Sequence, residues 1–304
     1  MLHRRAFTVS VIWTLGLLFL GSVVHATESS LACPDWPTCF GTMVPEMTGG
    51  VFWEHLHRLV AGGLVLMFVL ATWLTRKEVS DRPWMFRACV AGIVLLLIQS
   101  VFGGLTVIYQ LPDLVSTTHL TLAFAFLALA TVLASSSSWS VGRGTTDDTT
   151  GRALTRFATV SAALVMLQSI VGALVRHTDA GMACPDAPLC LGKVVPPLVN
   201  LPITVHFTHR VLGILVGLVV LSFAVWAVRA AVPAAVRTWA LLAAGLVVGQ
   251  ITLGFLSVLT VLAVVPVSAH TLVAAALLVV LVHLAVFGTV ARDAAEVPSQ
   301  MQAT

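Results

Sequence analysis

Charge is what this 304-residue sequence has least of: Asp, Glu, Lys and Arg make up 10% of it, against 58% apolar residues and a mean hydropathy of +1.00. Soluble domains carry about 25% charged residues, so a water-soluble globular chain is excluded. The net charge is equally slight at +3 and gives no reason to expect a nucleic-acid partner. Alternate loops also hold almost no basic residues, and that scarcity sets the orientation. Lastly, only the run 267–290 carries histidines at two depths, His270 and His283, and no second run matches it, which argues against paired groups stacked across the membrane between two helices.

What is present in quantity is apolar sequence. A helix needs roughly 20 apolar residues to cross a hydrocarbon core of about 30 Å. Eight runs qualify, at about 6–25, 52–75, 85–108, 115–135, 154–176, 203–228, 237–262 and 267–290. They predict an all-α polytopic membrane protein of eight transmembrane helices, with both termini on one side. The first run resembles a secretory leader, with Arg4 and Arg5 before it and His25-Ala26-Thr27 after it. It is read as a retained helix, because the repeat described next needs it as the partner of 154–176. Arg4, Arg5, Arg76, Lys77, Arg82, Arg87, Arg143, Arg152, Arg156, Arg229, Arg237 and Arg292 fall in the N-terminal segment, alternate loops or the C-terminal tail. The excess of positive charge assigns these regions to the cytoplasm. The opposite loops hold Lys193 as their only lysine, so the long loops near 26–51 and 177–202 are expected outside.

The chain repeats itself. Gly21 to Cys39 aligns with Gly172 to Cys190, and Cys33-Pro34-Asp35 matches Cys184-Pro185-Asp186, a shift of 151. The same shift takes Gln99 to Gln250, Gly103 to Gly254 and His119 to His270; His57-Arg58 reaches His209-Arg210 with a shift of 152. The chain thus divides into an N-terminal four-helix half, 1–140, a polar cytoplasmic linker, 141–151, a C-terminal four-helix half, 152–292, and a cytoplasmic tail, 293–304. Four spans per half, an even number, make both halves enter the membrane in the same sense. Two tandem four-helix bundles related by a pseudo-twofold axis along the membrane normal are expected.

Ionisable groups inside spans are costly and mark function. His57 and His209 lie 19 and 20 residues before Arg76 and Arg229, roughly 30 Å from the cytoplasmic boundary at 1.5 Å per residue. His119 and His270 follow Pro112 and Pro266 closely, so they share that outer depth. Two helices of each half therefore offer one imidazole each, an arrangement suited to holding a haem edge-on. A lone histidine here reads as a satisfied core or interfacial group; four at duplicated positions do not. Arg58 and Arg210 follow their histidines and are placed to reach haem propionates or to anchor at the interface. Glu54 shares a helix face with His57, while the second half has His206 at the matched position, so the halves are chemically unequal. Glu54 is equally readable as a charge favoured at a helix N-terminus. His55 points away from His57 and reads as interfacial, and His206 is a weaker ligand candidate.

Four of the five cysteines form Cys-x5-Cys pairs in the outer loops, Cys33/Cys39 and Cys184/Cys190. A disulfide within each pair is expected outside the cytoplasm, with redox activity or metal binding as alternatives. Cys89 reads as packing. Gln99, Gln168 and Gln250 recur as Gln-x3-Gly and read as helix packing with a polar contact.

Taken together, Leu31-Ala32-Cys33-Pro34-Asp35-Trp36-Pro37-Thr38-Cys39-Phe40-Gly41, Glu54-His55-Leu56-His57-Arg58, His119, His209-Arg210 and His270 resemble the haem A synthase family over about residues 10–290. That resemblance implies an oxidoreductase of a bacterial cell membrane. It would oxidise a methyl group of haem O stepwise, through an alcohol, to the formyl group of haem A for terminal cytochrome oxidases. It implies that the first half holds haem O between His57 and His119 with Glu54 taking part, and that the second half holds a haem b cofactor between His209 and His270. Cys33 and Cys39 would be the functionally relevant pair. Haem O synthase (protohaem farnesyltransferase) and an electron-transfer partner are implied as neighbours in the bilayer, with a homo-oligomer left open. The sequence departs from the family at His25-Ala26-Thr27-Glu28-Ser29-Ser30, where an arginine and glycines are usual, as in the second half with Arg176 and Gly181. The second cysteine pair points to one bacterial subgroup.

Two other readings compete. A di-haem b-type electron carrier stacks haems across the bilayer on widely spaced histidines in two helices; here only the last run, with His270 and His283, has such a pair. A transporter built from parallel repeats places polar groups near the midplane, whereas here they gather at the outer rim.

Overall fold

The computed structural model describes residues 2–80, 82–136 and 148–301. Eight helices follow one another: α1 (Leu2–Ala26), α2 (Gly49–Ser80), α3 (Pro83–Ile108), α4 (Asp113–Ser136), α5 (Asp148–His177), α6 (Leu201–Arg229), α7 (Ala234–Leu259) and α8 (Val264–Met301). Each is long and apolar enough to cross a membrane, and together they bear out the all-α, eight-span expectation. Within the expected linker 141–151, residues 141–147 lie outside the described residues and 148–151 already belong to α5. The expected tail from 293 continues α8 as far as Met301, and 302–304 lie outside the described residues.

Helix ends follow local chemistry. Pro83 opens α3 and Pro202 sits in the first turn of α6, where a missing N–H costs nothing. The Asn200 side chain caps α6 by accepting from Ile203 N at 3.0 Å. The α7 helix stops at Leu259, short of the expected 262, because Val261 and Leu262 take φ of +51° and +61°. Gln110 and Leu111 do the same after α3, at +56° and +61°. In each turn one amide reaches back to a helical carbonyl, Leu111 N to Thr106 O and Leu262 N to Ser257 O, both at 2.7 Å. This is the left-handed cap that spends orphan carbonyls before a chain reversal.

Within the first half α1 packs on α2 and α4, and α3 on α2 and α4; in the second, α5 packs on α6 and α8, and α7 on α6 and α8. Across the seam α1 meets α8, α4 meets α5, and α4 meets α8. Exchanging the halves turns this set of contacts into itself. One continuous apolar cluster runs through both halves, including Phe7, Phe68, Phe126 and Leu133 from the first and Leu154, Phe223, Leu278 and Leu281 from the second. Phe68 and Phe126 meet edge-to-face with ring centroids 5.1 Å apart. Large apolar side chains such as Ile12, Leu66, Leu70, Leu97 and Leu218 instead face outward, as a lipid-facing surface requires. Phe7, Val11 and Leu18 make α1 an integral part of the core.

Candidate functional site

His57 and His209 are each the ninth residue of their helix, and His119 and His270 each the seventh. The four imidazoles share one further feature. Each packs against a glycine of the preceding helix: a Cβ at Gly21 would stand 2.9 Å from His57 Cε1, at Gly103 3.0 Å from His119 Cε1, at Gly172 2.9 Å from His209 Cε1, and at Gly254 3.1 Å from His270 Cε1. Any side chain there would push the ring away. The recurring glycines are therefore notches for imidazoles, and the Gln-x3-Gly pattern marks three of the four, Gly21 following Leu17 instead.

The same notches fix two tautomers. His119 Nδ1 lies 3.1 Å from Gln99 O, and His270 Nδ1 3.1 Å from Gln250 O. A carbonyl oxygen only accepts, so Nδ1 carries the proton and each Nε2 keeps its lone pair, the state in which histidine ligates a metal. The glycine four residues on leaves that carbonyl accessible. Gln168 Nε2 lies 3.0 Å from His209 Nδ1 and donates to His209 O at 2.9 Å; Gln250 Nε2 stands 3.1 Å from His270 Nε2. By the shift of 151, Leu17 occupies the first-half position of Gln168, and His57 Nδ1 is buried with no hydrogen-bond partner among the described residues. The Oε1 atoms of Gln99, Gln168 and Gln250 are likewise buried and unpartnered.

Within each half the imidazoles face one another. His57 and His119 are within electrostatic reach, and His209 and His270 have centroids 6.4 Å apart with planes at 66°. Imidazole nitrogen binds a metal at about 2 Å, so two rings on one metal have centroids roughly 6 Å apart. The donor set, the fixed lone pairs and the glycine notches all fit a bis-imidazole iron of the haem type.

Above the histidines lie the disulfide loops, built twice to one plan. Cys33–Cys39 and Cys184–Cys190 are disulfide-bonded, with Cα–Cα distances of 4.8 and 4.7 Å. All four cysteines are buried. The Asp35 carboxylate accepts from the Thr38 hydroxyl and from the backbone N–H of Phe40 and Gly41 at 2.6 and 2.9 Å. Asp186 accepts from Leu191 and Gly192 N–H, both at 2.7 Å. These bonds favour the charged form: the Thr38 hydroxyl chiefly, then Gly41 N–H, hold Asp35 below the usual carboxylate range, and Gly192 N–H does so for Asp186.

The two arginines engage these loops. Arg58 donates to Asp35 O and Thr38 O, both at 2.6 Å, and to Cys33 O at 3.3 Å. Arg210 donates to the matching carbonyls of Asp186, Leu189 and Cys184 at 2.8, 2.7 and 2.6 Å. Each guanidinium is thus committed to clamping a loop over its histidine pair.

Glu54, only 4% exposed, pairs with Arg58 at 2.5 Å and accepts from Cys33 N at 2.8 Å. His206 substitutes for it in the second half: Nδ1 donates to Ala180 O at 2.8 Å and Nε2 accepts from Arg210 Nε at 3.0 Å. Both His206 nitrogens are thus engaged, one by the loop and one by the arginine that clamps it. His55 does point away from His57, but it is not interfacial. It is 2% exposed because the first loop folds over it, with Nε2 donating to Met43 O at 3.0 Å and a ring nitrogen within 4.8 Å of both Cys33 and Cys39 sulfurs. The sulfurs are bonded to each other and offer no thiolate. The matched residue in the second half is Phe207, packed on Cys184 and Cys190. Cys89 is buried, as a packing residue should be.

The model of the family described as cytochrome oxidase assembly protein, COX15-CtaA, matches residues 4–50 and 46–282. Among curated relatives, the chain is 30% identical to the heme A synthase of Shouchella clausii, over 85% of this chain and 88% of that one. It is 31% identical to the heme A synthase of Geobacillus kaustophilus, over 89% and 87%. It is 26% identical to the heme A synthase of Shewanella oneidensis, over 92% and 94%. With two copies of one histidine-notch and disulfide-loop plan, and with matches running through both copies, the chain belongs to the COX15-CtaA family of cytochrome oxidase assembly proteins.

Proposed function

We propose that this multi-pass membrane protein is a haem A synthase, an oxidoreductase that converts a methyl group of haem O to the formyl group of haem A. The observation that carries this reading is the pairing of two imidazole sites on one plan but with unequal surroundings, Glu54 beside one and His206 beside the other. In the first half His57 and His119 hold haem O as substrate. Glu54, beneath the loop and three residues before His57, offers a carboxylate oxygen as proton acceptor at the rim of that site. In the second half His209 and His270 hold haem b, which supplies one-electron redox chemistry when bound. There Gln168 and Gln250 set the orientation of the two rings. The disulfide loops, held by Arg58 and Arg210, cover each site.

The remaining parts of the reading follow from the charge pattern and the family. The two halves are related by a pseudo-twofold axis along the membrane normal. Both termini and the linker face the cytoplasm, and the disulfide loops face outward. Haem O synthase delivers the substrate, water supplies the formyl oxygen and takes up the protons released, and an electron-transfer partner takes up the electrons.

One experiment tests the reading. The protein is purified from a host that makes haem O, alongside Glu54→Gln, and the pigments are extracted, separated and identified by absorption. Glutamine keeps an acceptor for Cys33 N–H while removing the charge. Wild type is expected to carry haem B together with haem O, the alcohol or haem A, and Glu54→Gln to retain haem but make no formyl product. Haem B alone in the wild type would favour an electron carrier, and no haem a transporter. Wild-type product from Glu54→Gln would remove the role of the carboxylate.

A further inference from the structure

Between the two imidazole sites, where α1, α4, α5 and α8 meet at the seam, lies a polar cluster that neither site uses. Arg176 Nη2 donates to Ser22 O at 2.9 Å and Nη1 to Ser22 Oγ at 3.3 Å. Ser22 Oγ is in turn 3.1 Å from Thr271 Oγ1. The rings of His25 and His177 stand edge-to-face with centroids 5.7 Å apart, and His177 Nδ1 is 3.2 Å from Thr117 Oγ1.

The guanidinium is incompletely satisfied. Its Nε is buried with no hydrogen-bond partner, and among the described residues no carboxylate lies within salt-bridge distance of it. Asp179, the acidic residue nearest in sequence, and Glu28, its counterpart in the first half, are exposed. A cation withdrawn from water without a counter-charge is costly, so an arginine whose Nε is buried and unpartnered calls for an anion from outside the chain.

The position says which anion. Arg176 stands four residues beyond Gly172, on the face of α5 against which His209 packs. Its second contact, Ser22, bonds to Thr271, the neighbour of His270. Arg176 therefore sits at the outer edge of the second imidazole pair. At the matched position of the first half is His25, a residue with no fixed charge.

We propose that Arg176 is the carboxylate-binding residue of the second site, its free Nε–H and guanidinium charge receiving a propionate of the haem held by His209 and His270. The proposal rests on the reading of that pair as a haem site. Arg58 and Arg210, committed to loop carbonyls, leave this task to Arg176. It also makes the two sites unequal in a second respect, since the first has His25 where the second has Arg176. Because Arg176 is anchored on Ser22 of the first half, the bound carboxylate would tie the two halves together.

The test uses the full chain with His57→Ala and His119→Ala, which silence the first site, isolated without haem. It is titrated with haem B and with haem B dimethyl ester, whose carboxylates are blocked, and binding is followed in the Soret band. A charge-assisted bond in a water-poor site predicts that the free acid binds about tenfold or more tightly than the ester. Arg176→Gln should lose that discrimination, and Arg176→Lys, which keeps the charge, should retain most of it. Thermal unfolding of each variant reports folding independently. Equal binding of acid and ester, or undiminished discrimination in both variants, overturns the proposal. In that case stabilisation of the haem-free protein by inorganic phosphate, absent in Arg176→Gln, would identify a free or lipid phosphate as the occupant. Binding of neither haem form to the parent chain would instead overturn the haem reading itself.

Discussion

Single atoms decide the imidazole sites. A methyl group at Gly172 would sit 2.9 Å from His209 Cε1, closer than carbon atoms pack. A larger side chain must displace the ring, and overpacking of this kind costs about 1–3 kcal/mol. Gly172→Val is therefore expected to weaken haem binding at the second site roughly tenfold to a hundredfold, read as faster haem transfer to an acceptor globin. Gly249→Val, on α7 with nothing within 4 Å of the added carbon, should leave that rate unchanged; equal effects would show the notch to be irrelevant. Much of this was legible in the sequence and some was not. The four histidines stood out because two shifts, 151 and 152, duplicate them. Three of the glycines were visible as Gln-x3-Gly, but helix packing is the commoner use of that pattern, and only the fold reveals an imidazole as the partner. His55 was placed correctly on the far side from His57, yet its burial depends on a loop whose course no local pattern specifies. Arg58 and Arg210 were read as placed to reach propionates or to anchor at the interface; besides Glu54 and His206 four residues before them, their acceptors are backbone carbonyls 20 or more residues away in the chain.

At the scale of elements, each disulfide loop is held by three devices: the sulfur bridge, an arginine clamp and an aspartate that gathers backbone N–H groups. The aspartates are pH-dependent, and the sign follows from their lowered pKa values. A carboxylate whose folded value lies below its ordinary one, about 3.9 for aspartate, contributes its full stabilisation above that ordinary value and loses it as pH falls through the folded one. Both loops should stay closed from neutral pH down to about pH 4 and loosen below it. Hydrogen exchange at Gly41 and Gly192 amides, corrected for intrinsic rates, would report this. Protection should fall in that acid window, and Asp35→Asn should weaken it at Gly41 already at neutral pH while sparing Gly192. Protection that is flat to pH 2.5, or unaffected by the substitution, would assign closure to the bridge and clamp alone. Helix existence was easier to read than helix ends. Apolar runs located all eight spans, but α7 ends three residues early because two consecutive left-handed residues, Val261 and Leu262, precede Pro266. Non-glycine residues carry no sequence mark of that conformation.

For the molecule as a whole, duplication implies two units, but the packing joins them. The apolar cluster is continuous across the seam, and polar ties cross it at more than one level: Arg176 to Ser22 and Ser22 to Thr271 beside the imidazole sites, and Ser135 Oγ to His283 Nδ1 at 2.8 Å, near the C-terminal end of α4. None of these ties is visible in a sequence, because their partners lie 148 or more residues apart. They are also not copied by the duplication: the matched positions of Ser22 and Thr271 are Ala173 and Leu120. After duplication, then, the seam gained its own polar chemistry, and each half became dependent on the other for covering α1, α4, α5 and α8. A chain divided in the linker should accordingly reassemble. Fragments 1–140 and 141–304, co-expressed with a tag on one, are expected to co-purify in a one-to-one ratio with the pigments of the intact protein, whereas either fragment alone should be degraded or aggregate. Arg176→Gln in the second fragment should reduce recovery of the first. Fragments that purify apart, each stable and each carrying its own haem, would mean that the seam is incidental and that the two sites work independently.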